Sequence, residues 1–157
     1  MTKTVFNTTI AYEYNEAHSG AHYTLDGGRT FMNGGEFNEA NLKHCLGYVG
    51  HKDANTRYDE GSDIPEIACS VKSSKATLVN MVLGETLEET LTAYFANTAS
   101  KLFCWTFVEN GNTIAYFMNA NEFRVFTETF ANYDKERKVV RFKAQSGRML
   151  KWFAEVA

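Results

Sequence analysis

A chain of 157 residues is long enough for one domain with its own core, and a domain of this size hides roughly 70% of its unfolded surface. A hydrophobic content of 44% with 14% aromatics excludes a disordered chain, a single proline (Pro65) excludes long Pro-rich linkers, and no apolar run approaches the ~18 residues of a membrane span. The net charge of −3 is unevenly spread: residues 131–157 hold seven Lys/Arg against three Asp/Glu, which leaves −7 on the rest of the chain.

In chain order, residues 4–14 are β-branched and aromatic and read as strand, as do residues 22–32 around the turn signal Asp26-Gly27-Gly28. The two suggest an N-terminal hairpin or pair of strands. Glu36 to Val49 reads as a helix with Asn33 at its start, and residues 50–62 as a polar loop. Ile67 to Lys72 is a short strand. Residues 85–97 form a helix with Leu87, Leu91, Tyr94 and Phe95 as its apolar stripe and acids at its positive end. Leu102 to Val108 and Thr113 to Met118 are strands joined by the hairpin signal Asn110-Gly111. Asn121 caps a helix ending near Phe130, Val139 to Lys143 is a strand, and Arg148 to Val156 is the last helix. The aromatics Phe103, Trp105, Phe107, Tyr116 and Phe117 read as a core face in preference to a base-stacking platform.

The N-terminus shows no signal-peptide core, and Cys45, Cys69 and Cys104 are odd in number and lack a CxxC, so reduced thiols and a cytoplasmic location are expected.

The chemically informative stretch is Asp63 to Lys75. Strand alternation puts Ser70 and Lys72 on one face. A tight turn at Pro65-Glu66 would set Asp63 opposite Ala68, on that same face, although proline fits the favoured hairpin turns poorly. A carboxylate can hold Mg²⁺, the ion polarises a phosphate oxygen and makes hydroxide from water, and a nearby lysine stabilises the charge that develops. Such a set suits phosphodiester hydrolysis.

Asp63, followed by an apolar strand into Ser70-Val71-Lys72-Ser73-Ser74, resembles the PD-(D/E)XK nuclease superfamily, which carries an Asp on one strand and an acidic residue-x-Lys on the next. Gly35 and Glu39, opening a helix before the core, resemble that superfamily's first helix. The resemblance covers about residues 34–108. It implies an α/β (α+β) fold, a restriction-endonuclease-like three-layer core with a central mixed sheet flanked by helices, in a single domain spanning 1–157. It implies a metal-dependent DNA endonuclease with Mg²⁺ (or Mn²⁺), Asp63 and Glu39 as ligands and Lys72 as the catalytic lysine.

Ser70 stands where the family has an acid. Some members with Ser-x-Lys draw the missing carboxylate from the following helix, which here points to Glu85, with Glu66 as another donor. Phosphate contacts are expected from Lys75, Arg137, Lys138, Arg141, Lys143, Arg148 and Lys151. A single site that cuts both strands implies a homodimer or two visits.

Each residue also has a plainer role: Asp63 as a turn cap, Lys72 as a solvated strand end, Glu39 and Glu85 as helix-end acids. The functional alternative is a non-catalytic nucleic-acid-binding protein or a DNA-mimicking inhibitor, to which the acidic body is suited.

Overall fold

The computed structural model describes residues 1–7, 13–14, 23–24, 34–48, 62–73, 76–109, 112–143 and 145–156. The strands are β1 (Thr2–Asn7), β2 (Glu13–Tyr14), β3 (Tyr23–Thr24), β4 (Cys69–Lys72), β5 (Thr77–Val79), β6 (Leu102–Glu109), β7 (Asn112–Met118), β8 (Ala131–Asp134) and β9 (Val139–Phe142). The helices are α1 (Gly34–Cys45), α2 (Leu87–Asn97), α3 (Ala120–Phe130) and α4 (Ser146–Val156), with a 3₁₀ turn at Pro65–Ile67.

The fold is α+β. A mixed four-stranded sheet has the order β1-β7-β6-β4, and a separate antiparallel sheet has the order β5-β9-β8. Strands β6 and β7 pair antiparallel, as the Asn-Gly signal predicts, with Trp105 opposite Tyr116. Strand β4 runs parallel to β6 at the edge of the sheet, and parallel neighbours need a crossover, which α2 supplies.

Alternation divides the central sheet. Phe103, Trp105, Phe107, Tyr116 and Met118 face one way and pack with Leu91, Phe123, Phe126, Met149, Phe153 and the inner residues of β5 and β9. Phe103 stacks on Phe123 at 4.7 Å, and Tyr116 on Phe153 at 3.9 Å. The opposite face is smaller: Cys69, Val71, Cys104 and Ala115 pack with Leu42 of α1 and with Ile64. The hairpin aromatics thus form core. Phe117 alone of those five points to the α1 side, where it is half-buried.

The structure corrects several boundaries. Helix α1 stops at Cys45, short of Val49, in a Schellman close: Tyr48 N–H donates to Lys43 O (3.0 Å), Gly47 N–H to His44 O (2.9 Å), and Gly47 takes φ +82°. The cap of α3 is Asn119, not Asn121; its side chain accepts from Glu122 N–H while Glu122 returns a bond to the Asn119 N–H. Strands β5 and β8 have no counterpart in the sequence reading. The predicted Asn33 cap, the 50–62 loop up to residue 61, and most of residues 22–32 lie outside the described residues. No helix among the described residues is long and apolar enough to cross a membrane.

The aromatic stack sets a stability expectation. Phe123→Ala should lower the unfolding free energy by about 3–5 kcal/mol in urea denaturation. Val125→Ala, on the exposed side of the same helix, should stay within about 0.5 kcal/mol. Similar losses at the two positions would contradict this packing.

Candidate active site at the edge of β4

Ile64 and Cys69 exchange both backbone hydrogen bonds, at 3.0 and 3.1 Å. The four residues between them form the loop: Pro65 opens the 3₁₀ turn, and Ala68 ends it in the left-handed region at φ 49°, ψ 46°. That conformation turns the Ala68 carbonyl to the start of β6, where it accepts from Lys101 N–H (2.8 Å) and Leu102 N–H (3.1 Å). The wider loop moves the register by two residues, so Asp63 lies opposite Ser70 and not Ala68. A two-residue shift keeps parity, and Asp63 stays on the Ser70 side.

The Asp63 carboxylate folds onto the strand: Oδ2 accepts the Val71 N–H at 2.7 Å. Its charge is felt on two flanks. Burial, and then the Asp63 charge, push the Cys69 thiol up to about 12. Burial and the same charge push the Tyr94 phenol up to about 12, against a hydrogen bond to Thr98 that lowers it. Cys69 faces the α1 side and Tyr94 belongs to α2, so Asp63 sits at the sheet edge between the two layers.

Ser70 is buried, and its Oγ lies 2.6 Å from Ser100 Oγ, which lies 2.9 Å from Ser62 Oγ. This three-hydroxyl chain ties the hairpin, β4 and the α2–β6 connection together. Lys72 ends β4 half-buried, on the side of its β6 partner Trp105. Among the described residues no carboxylate is in ion-pair contact with it.

The remaining expected ligands lie elsewhere. Glu39 is on α1, which packs on the opposite face of β4; its Oε2 is fully buried. The adjacent Asn38 donates to Ser73 Oγ at 2.8 Å, which brings the second turn of α1 against the end of β4 just past Lys72. Glu66, in the 3₁₀ turn, pairs at 3.6 Å with Lys43, a lysine only 2% exposed. Glu85 is fully exposed and pairs with Lys135 of the β8–β9 turn; that hydrogen bond, then the lysine's charge, hold its carboxyl below the usual range. Helix α2 is about 16 Å long. Glu85 precedes its start, whereas Tyr94, which feels Asp63, is in its last turn. Among the described residues no three His, Cys, Asp or Glu side chains come together as a group able to hold a metal ion.

Of the expected phosphate contacts, Lys135 to Lys138 form the β8–β9 turn and include Arg137 and Lys138. Arg141 and Lys143 lie on and just after β9, and Arg148 and Lys151 on α4. Lys75 lies outside the described residues. No family model, curated protein or solved structure matches the chain.

Ser62, Ser100 and Asn38 carry no sequence signal of a place at this site, and Tyr94 shows in the sequence only as part of the apolar stripe of α2. Ser100 is 30 residues from Ser70 and has no local signature. Asn38 precedes Glu39 in a helix-start pattern that drew attention only to the acid.

The loop geometry is open to test at Ala68. A left-handed residue with a Cβ costs about 1–2 kcal/mol, which glycine avoids at some entropic cost. Ala68→Gly should therefore be neutral or stabilising by up to about 1 kcal/mol. Ala68→Val should destabilise by more than about 1 kcal/mol in thermal or urea unfolding. A destabilising glycine with a neutral valine would contradict the left-handed turn.

Proposed function

We propose that the chain is a metal-dependent DNA endonuclease with a restriction-endonuclease-like core, and that the edge of β4 is its active site. The observation that carries this reading is the hairpin: the Ile64–Cys69 pair and the bond from Val71 N–H to Asp63 Oδ2 hold Asp63 against β4, on which Ser70 and Lys72 share a face. A carboxylate and an ammonium beside one strand are the two protein groups that phosphodiester hydrolysis needs first.

The donors suit a hard cation. Mg²⁺ is held by one or two carboxylates, with waters and substrate phosphates completing its octahedron, so a three-carboxylate cage is not required. With Oδ2 bound to Val71 N–H, Asp63 keeps Oδ1 for a ligand. Cys69 is buried on the α1 side of β4, on the other face from Ser70 and Lys72, and adds no sulfur to this donor set. Mg²⁺ or Mn²⁺ there would supply a polarised phosphate oxygen and a water of lowered pKa.

The chain's own residues do the rest. Val71 N–H fixes the orientation of Asp63. Lys72 binds a non-bridging phosphate oxygen and stabilises the negative charge that grows on it as the attacking oxygen adds to phosphorus. Asp63 is the expected carboxylate that stands at this edge, since Glu39 belongs to α1 on the opposite face of β4. Glu66 and Glu85 are each committed to a lysine. The cations of residues 131–157 supply attraction for the polyanion.

A second reading, nucleic-acid binding without cleavage or mimicry of DNA by the acidic body, has one observation in its favour. The hydroxyl at the acidic position, Ser70 Oγ, is engaged by Ser100.

Incubation with supercoiled and branched DNA separates the two. The nuclease reading predicts cleavage that requires Mg²⁺ or Mn²⁺ and falls by about 10²-fold or more in Asp63→Asn and Lys72→Ala. Nicked circles that precede linear product would mark a single site acting once per visit. Absence of cleavage with either metal, by protein whose unfolding transition is intact, would overturn the enzyme reading.

A further inference from the structure

The antiparallel sheet β5-β9-β8 has an inner face committed to the core through Val79, Val140 and Phe142. Its outer face follows from alternation. Thr77, Arg141 and Asn132 form one cross-strand row, and Lys143 stands two positions along on the same side. All four are exposed. The outer face and the β8–β9 turn enclose a groove of about 580 Å³.

The charge of this groove is not evenly spent. Its lining includes Lys135, Arg137, Arg141 and Lys143 against Asp134 and Glu136. Lys135 is paired with Glu85, and Arg137 with Asp134 at 3.7 Å. Among the described residues Arg141 and Lys143 have no carboxylate in ion-pair contact. They stand about 6.7 Å apart along the strand, with neutral hydrogen-bonding side chains, Thr77 and Asn132, flanking Arg141.

This is the composition of a phosphate-contacting surface, in which Arg and Lys are joined by Thr and Asn. The two aromatic residues in the groove wall are both held in place. Phe142 points inward and is 1% exposed, and the Tyr133 hydroxyl is bound to Gly84 O at 2.9 Å. Arg148 and Lys151, by contrast, line a separate groove beside Phe130 and Trp152, and Arg148 is already engaged by Gln145.

We propose that the outer face of the β5-β9-β8 sheet is a docking surface for the sugar-phosphate backbone of nucleic acid, read without regard to sequence, with Arg141 and Lys143 as its principal contacts. The proposal rests on the nucleic-acid reading of the function and locates where the polymer lies. Backbone recognition of this kind is governed by counterion release, so its affinity falls linearly with salt on logarithmic axes, with a slope set by the number of phosphates neutralised.

Fluorescence anisotropy with labelled duplexes of unrelated sequence, in EDTA, reads binding with no dependence on cleavage. The wild-type chain should bind all of them alike. Arg141→Gln/Lys143→Gln should reduce the magnitude of the salt slope by about two and weaken every duplex equally. Arg148→Gln/Lys151→Gln should leave the slope closer to that of wild type.

An unchanged slope in the Arg141/Lys143 variant would overturn the proposal while leaving the nuclease reading untouched. So would displacement of the duplex by poly-glutamate at equal charge concentration, which would indicate an acidic protein partner. A chain that binds in this way yet never cleaves would retain the docking surface and lose the enzyme reading.

Discussion

The reciprocal hydrogen bonds between Ile64 and Cys69 are the constraint on which the candidate site depends. They fix the register of a short hairpin whose loop would otherwise be free to slip, and a slip of one residue would turn Asp63 from the Ser70 side to the α1 side. Three further contacts hold that register. Ala68 turns its carbonyl onto the start of β6, Asp63 accepts from Val71 N–H, and Ser100 bridges Ser62 and Ser70. The first and third link the hairpin to the α2–β6 connection, distant in sequence, and the second locks its two arms together, so the site is positioned by tertiary packing as well as by the local chain.

The edge strand β4 in turn relies on β6, the strand with the heaviest aromatic load. Phe103, Trp105 and Phe107 lock β6 against the helices and the second sheet on one face, while Cys104 sits opposite Val71 on the other. Strand β4 thus has a rigid neighbour on one side and the hairpin arm on the other. A polar site at a strand edge is costly to preorganise unless its supporting strand is fixed, and the aromatic core provides that fixity. The second sheet shares this core through Val140 and Phe142, which leaves its outer face free to carry charge.

The β6–β7 hairpin was legible from its alternation and the Asn-Gly turn, and α2 from its helical apolar stripe. These are long elements in which local pattern and burial agree. Strand β5 has three residues and β8 follows α3 directly, so neither offers a run long enough to show a period. The α3 cap was readable in principle, since Asn119 with Glu122 is a capping-box spacing that Asn121 lacks.

At the site, the placement of Asp63 on the Ser70 side was legible because it needs only parity. The register was not, because a left-handed alanine is disfavoured and nothing in the local sequence announces it. Glu85 stands at the expected start of the helix that follows Ser70, but its side chain answers to Lys135, fifty residues away. Sequence spacing carries no information about such a pairing.

The most direct test of the site is paramagnetic broadening of amide resonances as Mn²⁺ is added to isotope-labelled protein. An ion bound at Asp63 should broaden Ser70, Val71 and Ile64 first, at low ratios of metal to protein, and Asp63→Asn should abolish that pattern. Broadening that starts instead around Glu85, or that spreads without preference over the acidic surface, would contradict a metal site at the edge of β4.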